Sequence, residues 1–337
     1  MVENTTEAGL AMEGFLIKFS LKLFFLATLC LCLASPSWAQ PDGFSQSEND
    51  KFLIPEQMTP SEEKECFPPE QKTASEEESL TSERKISSEK KELLTRGQKT
   101  LLLNAGSMAA IFVYGLSQWD YGEDGFHSAN EGWFQRDTKY GGADKLGHFW
   151  SSYALSHLYS YVYRKWGYTE KEANLYGALS NLGVQTFMEV ADGFSSQGFS
   201  YEDLIMNVAG AGVAYVWGRV PYLAKKIDFR MEYTPGFNSR DLGFSTNYER
   251  QRFLMAIKAD GFKFVKNPYL KYLEFHVGYY AGHYKDYKVD SLDDRGRHLY
   301  IGIGFNVSKL VQKFVNTRVL DYIQIPYTSA RKDFPLD

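Results

Sequence analysis

Six polar side chains interrupt three otherwise apolar stretches of this chain: Asp144 and His148, Glu189 and Asp192, Asp203 and Asn207. Charges inside apolar helices are costly to bury, so a group of them at one level of a bundle needs compensation from within the group. A histidine among carboxylates suits proton transfer, which makes His148, Glu189 and Asp192 the candidate catalytic residues. The same donors suit a divalent ion, with Asp144, His148, Glu189 and Asp192 as candidate metal ligands. One histidine among hard oxygens favours Mg, Mn or Ca over structural Zn, which takes more Cys or His. Asp144, Lys145, Asp203 and Asn207 are the candidate binding residues. The competing reading is a satisfied structural network, in which Asp203 caps its helix and Lys145 pairs with Glu189 or Asp192.

Four apolar segments, 100–117, 144–165, 170–190 and 201–217, must position these groups. Asp144 and His148 are four apart, as are Asp203 and Asn207, and Glu189 and Asp192 are three apart, so each pair shares one helix face. Short connections at 167–169 and 194–199 make the last three helices antiparallel, which gathers the six residues at one end of the bundle. Thr169 with Glu172 and Ser200 with Asp203 fit capping boxes, and Pro221 stops the fourth helix. Gly177, Gly183, Gly210 and Gly212 let backbones approach closely. Glu189 and Asp192 lie at a helix C-terminus, where the dipole opposes them, so Lys145, a protonated His148 or a bound cation must compensate. The uncharged runs are near the lower limit of about 20 residues for crossing a bilayer, which leaves a membrane bundle and a tightly packed soluble one both open.

Beyond Lys225 the apolar period changes to two. Alternation at 227–234, 273–280 and 299–307, with weaker strands near 253–259 and 321–327, predicts an antiparallel sheet of about five or six strands. That is too few to close an outer-membrane barrel, which starts at about eight, so the sheet is expected to pack on the bundle. The fold class is therefore α+β, a four-helix bundle, soluble or membrane-associated, followed by an antiparallel sheet.

The N-terminal region carries Lys18 and Lys22, an apolar core over 21–33 and Ser-Pro-Ser-Trp-Ala before Gln40, which reads as a secretory signal over 1–39. The acidic stretch ahead of Met12 suggests an alternative start there. Residues 40–94 are rich in Glu, Lys, Ser and Pro and read as a disordered acidic tether, with the bundle assigned to 95–222 and the β region to 223–337. Ala27-Thr28-Leu29 before Cys30 is not a lipoprotein-processing sequence, and Cys66 alone cannot form an intramolecular disulfide. A net charge of -5 without a basic, aromatic-interleaved face argues against nucleic acid as a partner. Ser152 lacks a nucleophile elbow, and Gly302 and Gly304 lie in a strand rather than a phosphate loop. His157, His276, His283 and His298 are scattered, and Asp290, Asp293 and Asp294 lack calcium-loop spacing.

The run Gly141-Gly142-Ala143-Asp144-Lys145-Leu146-Gly147-His148, then Glu189-Val190-Ala191-Asp192-Gly193-Phe194, then Gly198 to Asp203 with Asn207 and Gly210, resembles the YfiM-type family. Asn130-Glu131-Gly132-Trp133-Phe134 fits the same resemblance, which covers roughly 103–217. It implies a predicted periplasmic lipoprotein of unknown function. The layout Asp-Lys-x-x-His, Glu, Asp-x-x-x-Asn-x-x-Gly is more loosely similar to the VanZ-like membrane proteins associated with glycopeptide tolerance. That likeness implies a membrane bundle with its polar site near one surface. The expectation is an exported bacterial cell-envelope protein, structural or binding in role, whose partner is an envelope component or a membrane surface. The rival is a metal-dependent or acid/base enzyme acting on an envelope lipid, glycan or peptide.

Overall fold

Helix α1 (Arg96–Gln118) is followed by α2 (Ala143–Lys165), α3 (Glu170–Asp192) and α4 (Tyr201–Arg219), each within a few residues of its expected segment. The computed structural model describes residues 93–234, 247–284, 294–315 and 317–337; the expected signal, tether, Cys30 and Cys66, and Asp290 and Asp293 lie outside them. Residues Thr100–Asp337 form one unit that includes both bundle and sheet, and Leu93–Lys99 belong to another.

The helix ends follow from local chemistry. Thr169 and Glu172 close the expected capping box at the start of α3. At α4 the Ser200 hydroxyl accepts from the Asp203 amide, but the Asp203 carboxylate turns away to Lys145, so the second box is only half made. The start of α2 has no side-chain cap; Gly141 and Gly142 both take positive φ (60° and 81°) and lead the chain tightly into the helix. A side chain at Gly142 would collide with Phe134 and the Trp133 carbonyl as well.

Helix α2 is central, packed along both α3 and α4. Their meeting faces are small and polar: Ser152, Ser156, Asn181, Gln185 and Asn207 are buried, and a Cβ at Gly210 would run into the Phe149 carbonyl oxygen. Gly210→Ala is therefore expected to destabilise by about 1–3 kcal/mol through forced separation of α2 and α4. Urea unfolding checks this; a variant as stable as the parent would mean the two helices have room to part. Helix α1 covers α2 and α3 through Leu103, Met108 and Ile111, with Asn104 donating to the Tyr163 hydroxyl. Its opposite face exposes Leu101, Leu102, Phe112, Val113 and Leu116, and its length and composition would suffice to cross a membrane.

Among the described residues six strands follow: β1 (Ile227–Tyr233), β2 (Gln251–Lys258), β3 (Leu273–Gly282), β4 (Gly296–Phe305), β5 (Ile323–Gln324) and β6 (Ser329–Pro335), in the order β5-β1-β2-β3-β4-β6. The expected all-antiparallel sheet needs one correction. β5 runs parallel to β1, with Met231 opposite Ile323, so the sheet is mixed. The chain reaches β5 by way of a short helix, Val307–Val311, instead of a hairpin, and a crossover of that kind allows parallel pairing. The expected strand at 321–327 shrinks to Ile323–Gln324, while β6, whose Ser-Ala-Arg-Lys-Asp-Phe-Pro has no clean alternation, is held by backbone pairing to β4.

The sheet curls until Arg331 of β6 reaches Glu232 of β1 at 3.3 Å. Its concave side is charged and buried: Arg230 binds Glu274 and Asp228 at 2.8 Å, Lys258 binds Asp228 at 2.7 Å, and His276 sits 3.3 Å from Glu274. The other side divides in two. Phe229 packs edge-on against Phe149 and Tyr153 of the bundle, while Leu273, Phe275, Ile301, Ile303 and Phe305 are exposed.

Candidate functional site

The antiparallel bundle does bring the start of α2, the end of α3 and the start of α4 to one end. His148 Nδ1 lies 3.2 Å from Glu189 Oε1, and its Nε2 lies 3.8 Å from Asp203 Oδ2, in ion-pair range though too long for a hydrogen bond. Asn207 Nδ2 donates to Glu189 Oε1 at 3.1 Å. Below them Ser152 donates to the Asn207 carbonyl, and Asn181 donates to Ser152, which continues the polar path into the bundle.

Lys145 does not pair with Glu189 or Asp192. Its ammonium, 1% exposed, lies 2.5 Å from Glu131, 2.9 Å from Asp144 and 2.9 Å from Asp203. The correction is geometric: one position past Asp144 is about 100° further round the helix, so Lys145 projects toward α4 rather than α3. Glu131, from the loop before α2, is a site residue that the spacing argument missed, because loop residues have no periodicity to place them. Its signal was the Asn130-Glu131-Gly132 motif. Buried Glu202 anchors that loop by accepting from the Gly132 amide at 3.2 Å. Tyr121, buried close to Asp192, and Tyr248, partly buried close to Asp144, were also missed.

The carboxylates Glu131, Asp144 and Asp203 present oxygens within 4.8 Å of one another, a spacing that would suit a metal ion. The Lys145 ammonium reaches all three. Among the described residues, this is the only such set of three; Asp144 belongs to it, whereas His148 and Glu189 form a separate pair and Asp192 lies toward Tyr121.

Five carboxylates, Glu131, Asp144, Glu189, Asp192 and Asp203, surround two bases, Lys145 and His148. Protons relieve that excess. Burial, aided by Asp203 and Asp192, pushes Glu189 up to about 8 despite the neighbouring imidazole. Burial likewise raises Glu131 to about 7 and Asp192 to about 6. Burial disfavours a charged His148, but Asp203, Glu189 and Asp144 outweigh it and hold the imidazole above its usual range. Asp203 goes the other way: burial would raise it, but His148 and Lys145 keep it below the usual carboxylate range. His148 is 16% exposed, so protons can be exchanged with solvent at this point of the site. The arrangement can do two things: hold the bundle end together through Lys145, and take up or release a proton at Glu189, at about 8, beside an imidazole held above its usual range.

Residues 130–218 match the profile of a family described as predicted periplasmic lipoprotein (DUF2279), a span that contains Glu131 and every site residue named from the spacing. It agrees with the YfiM-type resemblance. No curated protein and no solved structure matches the chain.

Proposed function

We propose that this exported cell-envelope protein, whose segment 130–218 belongs to the predicted periplasmic lipoprotein family, serves as a structural or binding module with a proton-holding clamp at one bundle end. The observation that carries this reading is the Lys145 ammonium, which contacts carboxylates from the preceding loop, α2 and α4. A lysine in that position supplies the positive charge that a divalent Mg, Mn or Ca ion would otherwise bring. A buried network of this kind contributes mainly by fixing one arrangement of the elements it joins.

A second reading, acid/base catalysis by His148 and Glu189 on an envelope substrate, is favoured by the raised proton affinities of both groups, that of Glu189 to about 8, and by the partial exposure of His148. Substitutions at Glu189 separate the two. With its pKa at about 8, Glu189 is largely protonated at neutral pH, so Glu189→Gln preserves its shape and hydrogen-bonding capacity. The clamp reading expects Glu189→Gln to stay within about 1 kcal/mol of the parent and Glu189→Ala to lose about 2–4 kcal/mol, since the buried Asn207 amide loses its acceptor and His148 its nearest carboxylate. Denaturant unfolding of both variants measures this. A Glu189→Gln chain that folds fully yet loses a turnover present in the parent would make the enzyme reading the better one.

A further inference from the structure

We propose that the bundle end opposite the polar site is a docking tip for an anionic lipid surface. Three segments meet there. Lys226, just beyond α4, lies 4.4 Å from the Phe262 ring. Tyr272, before β3, stacks on Phe305 at 5.5 Å and accepts a backbone hydrogen bond from Asn306. Lys309 and Lys313 lie over the Tyr272 ring at 5.6 Å and 5.0 Å, and Lys309 pairs with Asp260.

The composition of this tip differs from the rest of the molecule. Segments 219–226, 259–272 and 305–318 together hold nine Lys or Arg and one Asp, in a chain whose net charge is -5. Among those bases stand large apolar side chains without cover: Phe264 is 78% exposed, Tyr269 82% and Phe314 81%. Folding gains nothing from leaving such rings in water, and exposed apolar groups rimmed by polar ones mark an interaction surface. The patch continues onto the outer face of the sheet, where Leu273 is paired with Phe305 and Phe275 with Ile303.

The pairing of exposed rings with lysines chooses the partner. A headgroup layer offers anionic phosphates to the lysines and an apolar interior a few ångströms deeper to the rings, which is how interfacial proteins bind. Glu170 and Glu172, at the start of α3 on the same end of the bundle, lie beside Arg164, Lys165 and Lys171 and do not reverse the sign. Helix α4 carries Asp203 in its first turn and ends at the tip, so docking here holds the polar site about 25 Å from the lipid, at about 1.5 Å per residue. The inference concerns a surface separate from the clamp and stands or falls independently of it.

The test is sedimentation of the exported chain with vesicles of phosphatidylglycerol and phosphatidylethanolamine, against vesicles of phosphatidylcholine. Two variants accompany it: Phe264→Ser with Phe314→Ser, and Lys263→Glu with Lys266→Glu and Lys313→Glu. All five positions are exposed, so both variants should fold, and circular dichroism verifies that. The parent is expected to prefer the anionic vesicles at least tenfold, with salt weakening the preference, and each variant to lose most of it. An anionic preference unchanged in both variants, or none in the parent, overturns the proposal. Loss in the lysine variant alone also overturns it, by reducing the contact to headgroup charge without ring insertion. A change of oligomeric state in the serine variant, with vesicle binding intact, would assign the surface to a second copy of the chain instead.

Discussion

Lys145→Met is expected to lower stability by about 3–5 kcal/mol at neutral pH, because it leaves buried Asp144 and Asp203 and half-buried Glu131 around a missing cation. Methionine matches the apolar stem of lysine as far as Cε, so the loss reports chiefly the charge rather than a cavity. Urea unfolding at pH 7 measures it. Two further results make the outcome specific to the clamp. Lowering the pH to about 5 should narrow the gap between variant and parent, since the stranded carboxylates then take up protons. Millimolar Ca or Mg should restore part of the stability of the variant, because its three carboxylates keep the spacing that suits a metal, while leaving the parent unmoved. A parent that is itself stabilised by the ion would show that Lys145 does not fill that role, and would move the site toward metal binding.

Much of this site was legible before any coordinates. Helical spacing and short connections are strong constraints, and they place His148, Glu189, Asp203 and Asn207 together, as the contacts among them bear out. What spacing could not do was assign partners. Whether Lys145 faces α3 or α4 depends on how far α2 is rotated about its axis, and Glu131 enters through a loop whose path is set by contacts distant in sequence, such as that of Glu202 with the Gly132 amide. The sheet teaches a related lesson. A period of two identifies β1 to β4 and tells which residues share a face, but not which face is inside. Apolar Phe275 and Ile303 would be taken for core; instead Glu274 and His276 are buried, and Gly304 supplies the space that the His276 ring occupies. β6 had no pattern to read, and of the expected strand at 321–327 only Ile323–Gln324 pairs as β5; edge pairing with β4 and β1 decides both.

Stability should fall between pH 6 and pH 9, the reverse of what paired carboxylates ordinarily produce. Glu189 has a folded-state pKa of about 8 against an ordinary value of 4.5, so its proton stabilises the fold fully below 4.5 and that contribution is lost as pH rises through about 8. Glu131, at about 7, and Asp192, at about 6, act with the same sign, as does His148, whose contribution is lost as pH rises above 6.5 through its raised value. Two groups act in the opposite sense. His157 is buried as the neutral ring between the Ala214 carbonyl and the Tyr322 hydroxyl, and burial lowers it to about 4, so its contribution is lost as pH falls from 6.5 through about 4. Asp203, held below 3.8, gives up its contribution only at still lower pH. Glu189 alone should account for about 2–3 kcal/mol between pH 6 and pH 9, at about 1.4 kcal/mol per unit. Unfolding free energies measured at half-unit steps from pH 4 to 9 test this, with Glu189→Gln as the control, since glutamine has no proton to lose and should flatten the alkaline limb. A parent whose stability climbs steadily from pH 6 to 9, or a Glu189→Gln curve with the parent's slope, would show that the bundle holds Glu189 as a carboxylate, and the reading of this end as a proton-holding clamp would fail.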